Sequence, residues 1–133
     1  MRRRNNIFGY FPVIIFTLIF SKKFSFFTNH YMKTITVTGL RQLINNKEDF
    51  QLIDTREPYE HATFNIGGVL MPLGDITKLI EQIEKQKPVV LYCRVGVRSQ
   101  IAIQRLQEKY PFTNLINLIG GTEAWKKESG NTK

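Results

Sequence analysis

One short stretch constrains this 133-residue chain more than any other: Val89-Val90-Leu91-Tyr92, introduced by Pro88 and followed by Cys93. A strand that is apolar on both faces has no side to turn to water. It therefore belongs in the middle of a parallel sheet covered by helices. The neighbouring segments agree with that placement. Thr34–Val37 alternates polar and apolar residues and suits an edge strand. Thr38 can cap a short helix whose Leu40, Leu43 and Ile44 share a face. Phe50–Asp54 reads as a buried strand ending in a carboxylate, and Gly67-Gly68 breaks the chain before a brief strand over Val69–Leu73. Between Asp75 and Lys85, the spacing of Ile76, Leu79, Ile80 and Ile83 predicts an amphipathic helix. A second helix is predicted from Ser99 to Tyr110, with Ala102, Ile103, Leu106 and Tyr110 on one face. Leu115–Leu118 is a further strand, and Gly120-Gly121 leads into a last helix bearing Trp125. Such alternation predicts an α/β three-layer domain over residues 32–133.

Residues 1–31 read differently. Ile7–Phe20 is almost wholly apolar and follows three arginines, which suggests either an export signal or a membrane anchor. The run falls short of the ~20 residues that span a bilayer and contains Pro12. No small-residue cleavage site follows it. The leader is rich in Phe, Ile, Asn, Lys and Tyr, residues with AT-rich codons, and Met32 stands directly before the domain. We therefore expect translation to begin at Met32, giving a cytoplasmic protein. The alternative is a membrane-anchored or exported one, with membrane contact only if the leader is real.

The formal charge of +8 invites a nucleic-acid reading, but the leader holds five of the nineteen basic residues and no acid. The remainder has 14 basic residues against 11 acidic ones, with no basic run interleaved with aromatics, so nucleic acid is not expected as a partner. The single cysteine excludes an internal disulfide and a cysteine-based metal site. His30 and His61 lack partners at metal-ligand spacing and read as solvated or locally hydrogen-bonded. No metal or cofactor is expected, and Gly120-Gly121 lacks the spacing of a dinucleotide fingerprint.

Chemistry is expected at Cys93. It ends the most apolar strand, and in an open α/β sheet ligands bind beyond the carboxyl ends of the strands. Arg94-Val95-Gly96-Val97-Arg98-Ser99 follows, and then a helix. A tight strand-to-helix turn directs backbone N–H groups inward, Gly96 permits a conformation costly for other residues, and the helix adds its positive end. With Arg94 and Arg98 these groups form a cradle for an anion. A thiol there should ionise readily, and the same cradle would hold a persulfide. Guanidinium groups also match an oxyanion donor such as thiosulfate. A cysteine phosphatase uses related chemistry but needs a Cys-x5-Arg loop; here the spacing is Cys-x4-Arg, one residue short.

These residues resemble the rhodanese family. Cys93 to Ser99 is similar to its Cys-Arg-x-Gly-x-Arg-Ser active-site loop. Leu118-Ile119-Gly120-Gly121-Thr122-Glu123-Ala124-Trp125 resembles its Leu-x-Gly-Gly-x-x-x-Trp signature. Leu52-Ile53-Asp54-Thr55-Arg56-Glu57-Pro58-Tyr59-Glu60 resembles its N-terminal motif. The resemblance implies a small, mostly parallel sheet of about five strands flanked by helices, and transfer of a sulfane sulfur through Cys93. It implies that Arg94 and Arg98, with Val95, Gly96, Val97 and Ser99, bind the donor or shape the loop. Asp54, Arg56 and Glu60 would form a structural charge network nearby. The implied partners are a small anionic sulfur donor and an external acceptor: cyanide, a small thiol or a protein thiol. A sulfur carrier or partner-binding module without efficient thiosulfate turnover is the alternative. One departure stands out: Asn65-Ile66-Gly67-Gly68-Val69 replaces the family's common His-Ile-Pro-Gly-Ala, putting an amide where an imidazole is usual.

Overall fold

The computed structural model describes residues 31–131. The leader through His30 lies outside them, and with it the choice between an internal start and an anchor. Five strands form one sheet: β1 Lys33–Ile35, β2 Gln51–Asp54, β3 Val69–Leu70, β4 Val89–Tyr92 and β5 Leu115–Leu118. Their spatial order is β1-β5-β4-β2-β3, and every pairing is parallel. The all-apolar β4 is the central strand and is buried throughout. Its alternate residues explain the layering, because successive side chains of a strand leave opposite faces. Val89 and Leu91 join the core that contains Ile103 and Leu106 of α3 (Val97–Lys109). Val90 and Tyr92 join the other core, with Val37 and Leu40 of α1 (Val37–Asn45) and Trp125 of α4 (Gly121–Gly130). A sheet between two helical layers is the arrangement expected from the sequence.

Several details differ from the sequence reading. β1 ends at Ile35, and the helix cap is Thr36, whose hydroxyl accepts a hydrogen bond from Gly39 N at 3.1 Å; Thr38 already lies within α1. β3 is only two residues long, although Met71 N and Leu73 N still donate to Asp54 and Thr55 carbonyls. A short helix absent from the sequence reading, α2 (Pro58–Thr63), opens with Pro58 in its first turn and a reciprocal capping box between Glu57 and Glu60.

The largest correction concerns Asp75–Lys85. It is no continuous amphipathic helix but a series of turns ending in a single 3-10 turn at Ile80–Gln82. Its hydrogen bonds run from i+3 to i: Lys78 to Asp75, Leu79 to Ile76, Gln82 to Leu79 and Ile83 to Ile80. A three-residue repeat also gathers apolar side chains on one side, so Ile76 and Ile83 reach the core without an α-helix. Tyr110 is likewise corrected. It terminates α3 in an extended conformation and is exposed, its ring tilted 55° against that of Phe112 rather than continuing the buried face. Among the described residues, no helix is long and apolar enough to cross a membrane.

Candidate active site

Cys93 leaves the end of β4 with 1% of its surface exposed. Its sulfur nevertheless belongs to neither apolar cluster. Gly96 N donates to Cys93 Sγ at 3.0 Å, and the neighbouring backbone amides of Val95 and Ser99 also favour the ionised sulfur. The thiol thus sits at the floor of a ring of amides. Gly96 makes the ring turn: its φ of +98° is left-handed, and a Cβ there would press on Leu118 O at 3.3 Å and Gly120 N at 3.4 Å.

The loop's carbonyls must face the other way for its N–H groups to face the sulfur, and α4 receives them. Thr122 N donates to Cys93 O at 2.9 Å and Glu123 N to Arg94 O at 3.0 Å. Gly121 allows this approach, since an added Cβ would lie 2.1 Å from Cys93 O. The Gly-Gly pair in the sequence is therefore a backbone-contact device. The start of one helix consumes the carbonyls, and the loop leading into another directs amides at the sulfur.

Burial alone would push the Cys93 thiol up. Hydrogen bonds from the Ser99 hydroxyl and from the amides of Ser99, Gly96 and Val95 outweigh burial and hold it below the usual thiol range. The amides are the firmer donors. Ser99 has one hydroxyl proton, and its Oγ lies 2.5 Å from Asn117 Oδ1 but 3.5 Å from Cys93 Sγ. Asn117 Nδ2 in turn donates to Gly96 O at 3.2 Å. Asn117, in β5 opposite Leu91, thereby braces both the loop and Ser99. The sequence reading did not single it out. The only signal was a polar side chain inside the otherwise apolar Leu-Ile-Asn-Leu strand.

The two arginines of the loop part company. Arg98 forks onto Glu60 of α2, Nη1 to Oε2 at 2.6 Å and Nη2 to Oε1 at 2.7 Å. Those hydrogen bonds, more than burial opposes them, hold the Glu60 carboxyl down to about 2. Arg98 is raised above its ordinary value by the same pair and further by the negative sulfur of Cys93. Arg94 is different: its side chain is 62% exposed and its nearest carboxylate, Glu123, is 3.9 Å away. Val95 and Val97 contribute backbone while their side chains lie exposed at the rim.

Asp54 and Arg56 form a separate, buried pair. Arg56 Nε and Nη2 donate to Asp54 Oδ1 and Oδ2 at 2.9 and 2.7 Å, and Nη2 also donates to Phe64 O. Burial opposes ionisation of Asp54, but the Arg56 and His61 hydrogen bonds keep it below the ordinary carboxylate range. Glu60, grouped with these two in the sequence reading, pairs with the loop instead. His61 Nδ1 lies 2.8 Å from Asp54 Oδ2, so α2 supplies an imidazole from four positions before Asn65. Asn65 itself makes a turn, Oδ1 accepting from Gly67 N and Nδ2 donating to His61 O. Among the described residues, no cluster of His, Cys, Asp and Glu suits a metal ion.

Comparison with known proteins gives this geometry its family. The profile of the rhodanese-like domain matches residues 36–128. YtwF of Bacillus subtilis (strain 168), whose name provisionally assigns it sulfurtransferase activity, is 35% identical over 99 residues, covering 74% of this chain and 94% of the relative. The thiosulfate sulfurtransferase GlpE of Coxiella burnetii (strain RSA 331 / Henzerling II) is 33% identical over 81 residues, covering 60% and 75%. The crystal structure of a rhodanese-like domain protein from Staphylococcus aureus superposes with a TM-score of 0.64 at 27% identity, covering 71% of this chain and 91% of that one. On the profile match, these relatives and the shared fold, the chain belongs to the rhodanese-like domain family.

Proposed function

We propose that this protein is a sulfurtransferase that moves a sulfane sulfur from thiosulfate to an external thiophilic acceptor through a persulfide on Cys93. The observation that carries this reading is the sulfur's position, buried at the end of the central strand and accepting a hydrogen bond from Gly96 N at 3.0 Å. A thiolate there attacks the outer sulfur of thiosulfate. The S–S bond of the donor breaks, sulfite departs with the bonding electron pair, and Cys93 keeps the outer sulfur as a persulfide anion. The amide ring favours the sulfur anion before and after the step.

Arg94, exposed and only loosely paired, is the cation for an incoming oxyanion. Arg98 has both terminal nitrogens on Glu60, so its role is to fix the loop and set a positive field beside the sulfur. Asp54 and Arg56 hold the backbone beneath. The chain has one cysteine, so the acceptor is external. A cytoplasmic setting, with its pool of reduced thiols, suits that requirement. Thiosulfate and cyanide together should yield thiocyanate, and mass spectrometry should find one added sulfur on Cys93 after thiosulfate alone. Cys93→Ser should abolish both signals; a serine variant that kept full turnover would remove Cys93 from the chemistry.

A further inference from the structure

Asn117 is the one polar residue of β5, and its amide meets the sulfur loop and the first turn of α3 at once. Its two ends are not interchangeable. Gly96 O can only accept, so the group 3.2 Å from it must be the nitrogen, Nδ2, donating. That turns Oδ1 toward Ser99 Oγ, 2.5 Å away. An amide oxygen can only accept as well, so the Ser99 hydroxyl donates to it. A hydroxyl has one proton. With that proton on Asn117, Ser99 presents a lone pair to Cys93 Sγ, 3.5 Å away.

We propose that Asn117 is a positioning residue for the sulfur chemistry: it keeps the Ser99 proton off Cys93 and leaves the sulfur to its backbone donors. The inference rests on the sulfurtransferase reading for its consequence in turnover, and adds to it a residue that tunes the nucleophile. Burial makes the arrangement persist. Ser99 is 0% exposed and Asn117 7%. Turning the hydroxyl onto the sulfur would leave Oδ1 in the interior without its donor, at the cost of an unpaired buried acceptor. The bond of 2.5 Å therefore keeps the proton against the contact of 3.5 Å.

The chemical effect is one of degree. A sulfur that accepts fewer hydrogen bonds ionises less readily, but its thiolate is the stronger nucleophile. Thiolate reactivity follows basicity with a Brønsted coefficient of ~0.4–0.5, so a tenfold change in ionisation constant alters the thiolate's own rate about threefold. Asn117 and Ser99 stay neutral throughout, and neither gives up a proton to the substrate. Asn117 acts through Ser99, by deciding which atom the hydroxyl serves.

The test follows the ultraviolet absorbance of the Cys93 thiolate against pH in the full chain, with Cys93→Ser as the blank. Ser99→Ala should change the ionisation constant less than about twofold, because the hydroxyl it removes was donating elsewhere. In an Asn117→Leu chain the hydroxyl is free to turn, and adding Ser99→Ala there should lower the ionisation constant about tenfold, the effect of one hydrogen bond to a charged group. The same addition should raise the plateau rate of persulfide formation from thiosulfate about threefold, measured where the thiol is fully ionised. Arg94, Arg98, Glu60 and the Asp54–Arg56 pair are the same in every chain, so the differences report the hydroxyl. A tenfold fall in the ionisation constant from Ser99→Ala in the parent would show the proton on sulfur and overturn the proposal, even if Asn117→Leu failed to fold. Equal effects of Ser99→Ala in the two backgrounds would overturn it too. A parent that formed no thiocyanate would instead remove the sulfurtransferase reading, and the role of Asn117 in turnover with it.

Discussion

Two ion pairs flank the sulfur loop, and they differ in what they hold. Asp54–Arg56 is buried at the end of β2, and its partners are backbone groups and His61 of the surrounding fold. Glu60–Arg98 is part-buried and joins α2 to the first turn of α3, across the mouth of the loop. The first pair is sealed in, so its charges are irreplaceable once buried but contribute nothing that moves. The second stays in touch with water, contributes less to stability and ties α2 to the helix that begins where the loop ends. The charged groups near the loop thus divide into a pair sealed within the fold and a pair that ties α2 to the start of α3.

The largest effect should come from breaking the sealed pair. Asp54→Ala leaves the Arg56 guanidinium buried without its counter-charge, and should cost about 3–5 kcal/mol in urea unfolding. A loss below about 1 kcal/mol would mean that water reaches Arg56 and that the two pairs do not differ in kind.

Glu60→Gln should behave in the opposite proportion. The amide retains an acceptor but loses the charge and half of the Arg98 fork, costing about 1–2 kcal/mol of stability. Thiosulfate turnover should fall by about tenfold, since the loop loses its tether. Unchanged turnover beside a large stability loss would make this pair a second structural bolt.

The smallest effect is in acid. Glu60 is held at about 2 in the folded protein against an ordinary 4.5, so the folded state binds fewer protons than the unfolded one. Its contribution is complete above the unfolded value and drains as pH falls through the folded one. The urea midpoints of the parent and Glu60→Gln should therefore converge between pH 4.5 and about 2. Curves that stayed parallel would show that the fork does not depend on the carboxylate's charge.

Much of the fold was legible because it follows from burial. Val89–Tyr92 could lie only at the centre of a covered sheet, and there it lies. The sulfur loop was legible for a related reason: cysteine, glycine and two arginines between a buried strand and a helix leave few other readings. What escaped notice depends on distances that sequence does not carry. The apolar spacing of Ile76, Leu79, Ile80 and Ile83 is equally satisfied by turns closing at three residues, so periodicity could not separate the two. Arg94 and Arg98 look alike in sequence, and only the position of Glu60 distinguishes them. His61 offered no pattern, since its partner Asp54 lies seven residues back on another element. Pro58 with Glu57 and Glu60 did announce α2, through first-turn proline and the capping box, and is the one omission that local rules could have repaired.

The place of β1 in the sheet has a consequence for how the molecule is made. Lys33 pairs with Ile116, so the first strand must wait for the last before it has a neighbour. Pairings of such long sequence separation form late and slow the search. β5 also carries Asn117, and Gly121 follows it, so the wall of the sulfur pocket is assembled in the same closing event. Until β5 has docked, Cys93 lies in a loop that lacks the Asn117 brace and the Gly121 approach, so the pocket's final shape waits on the last pairing of the sheet.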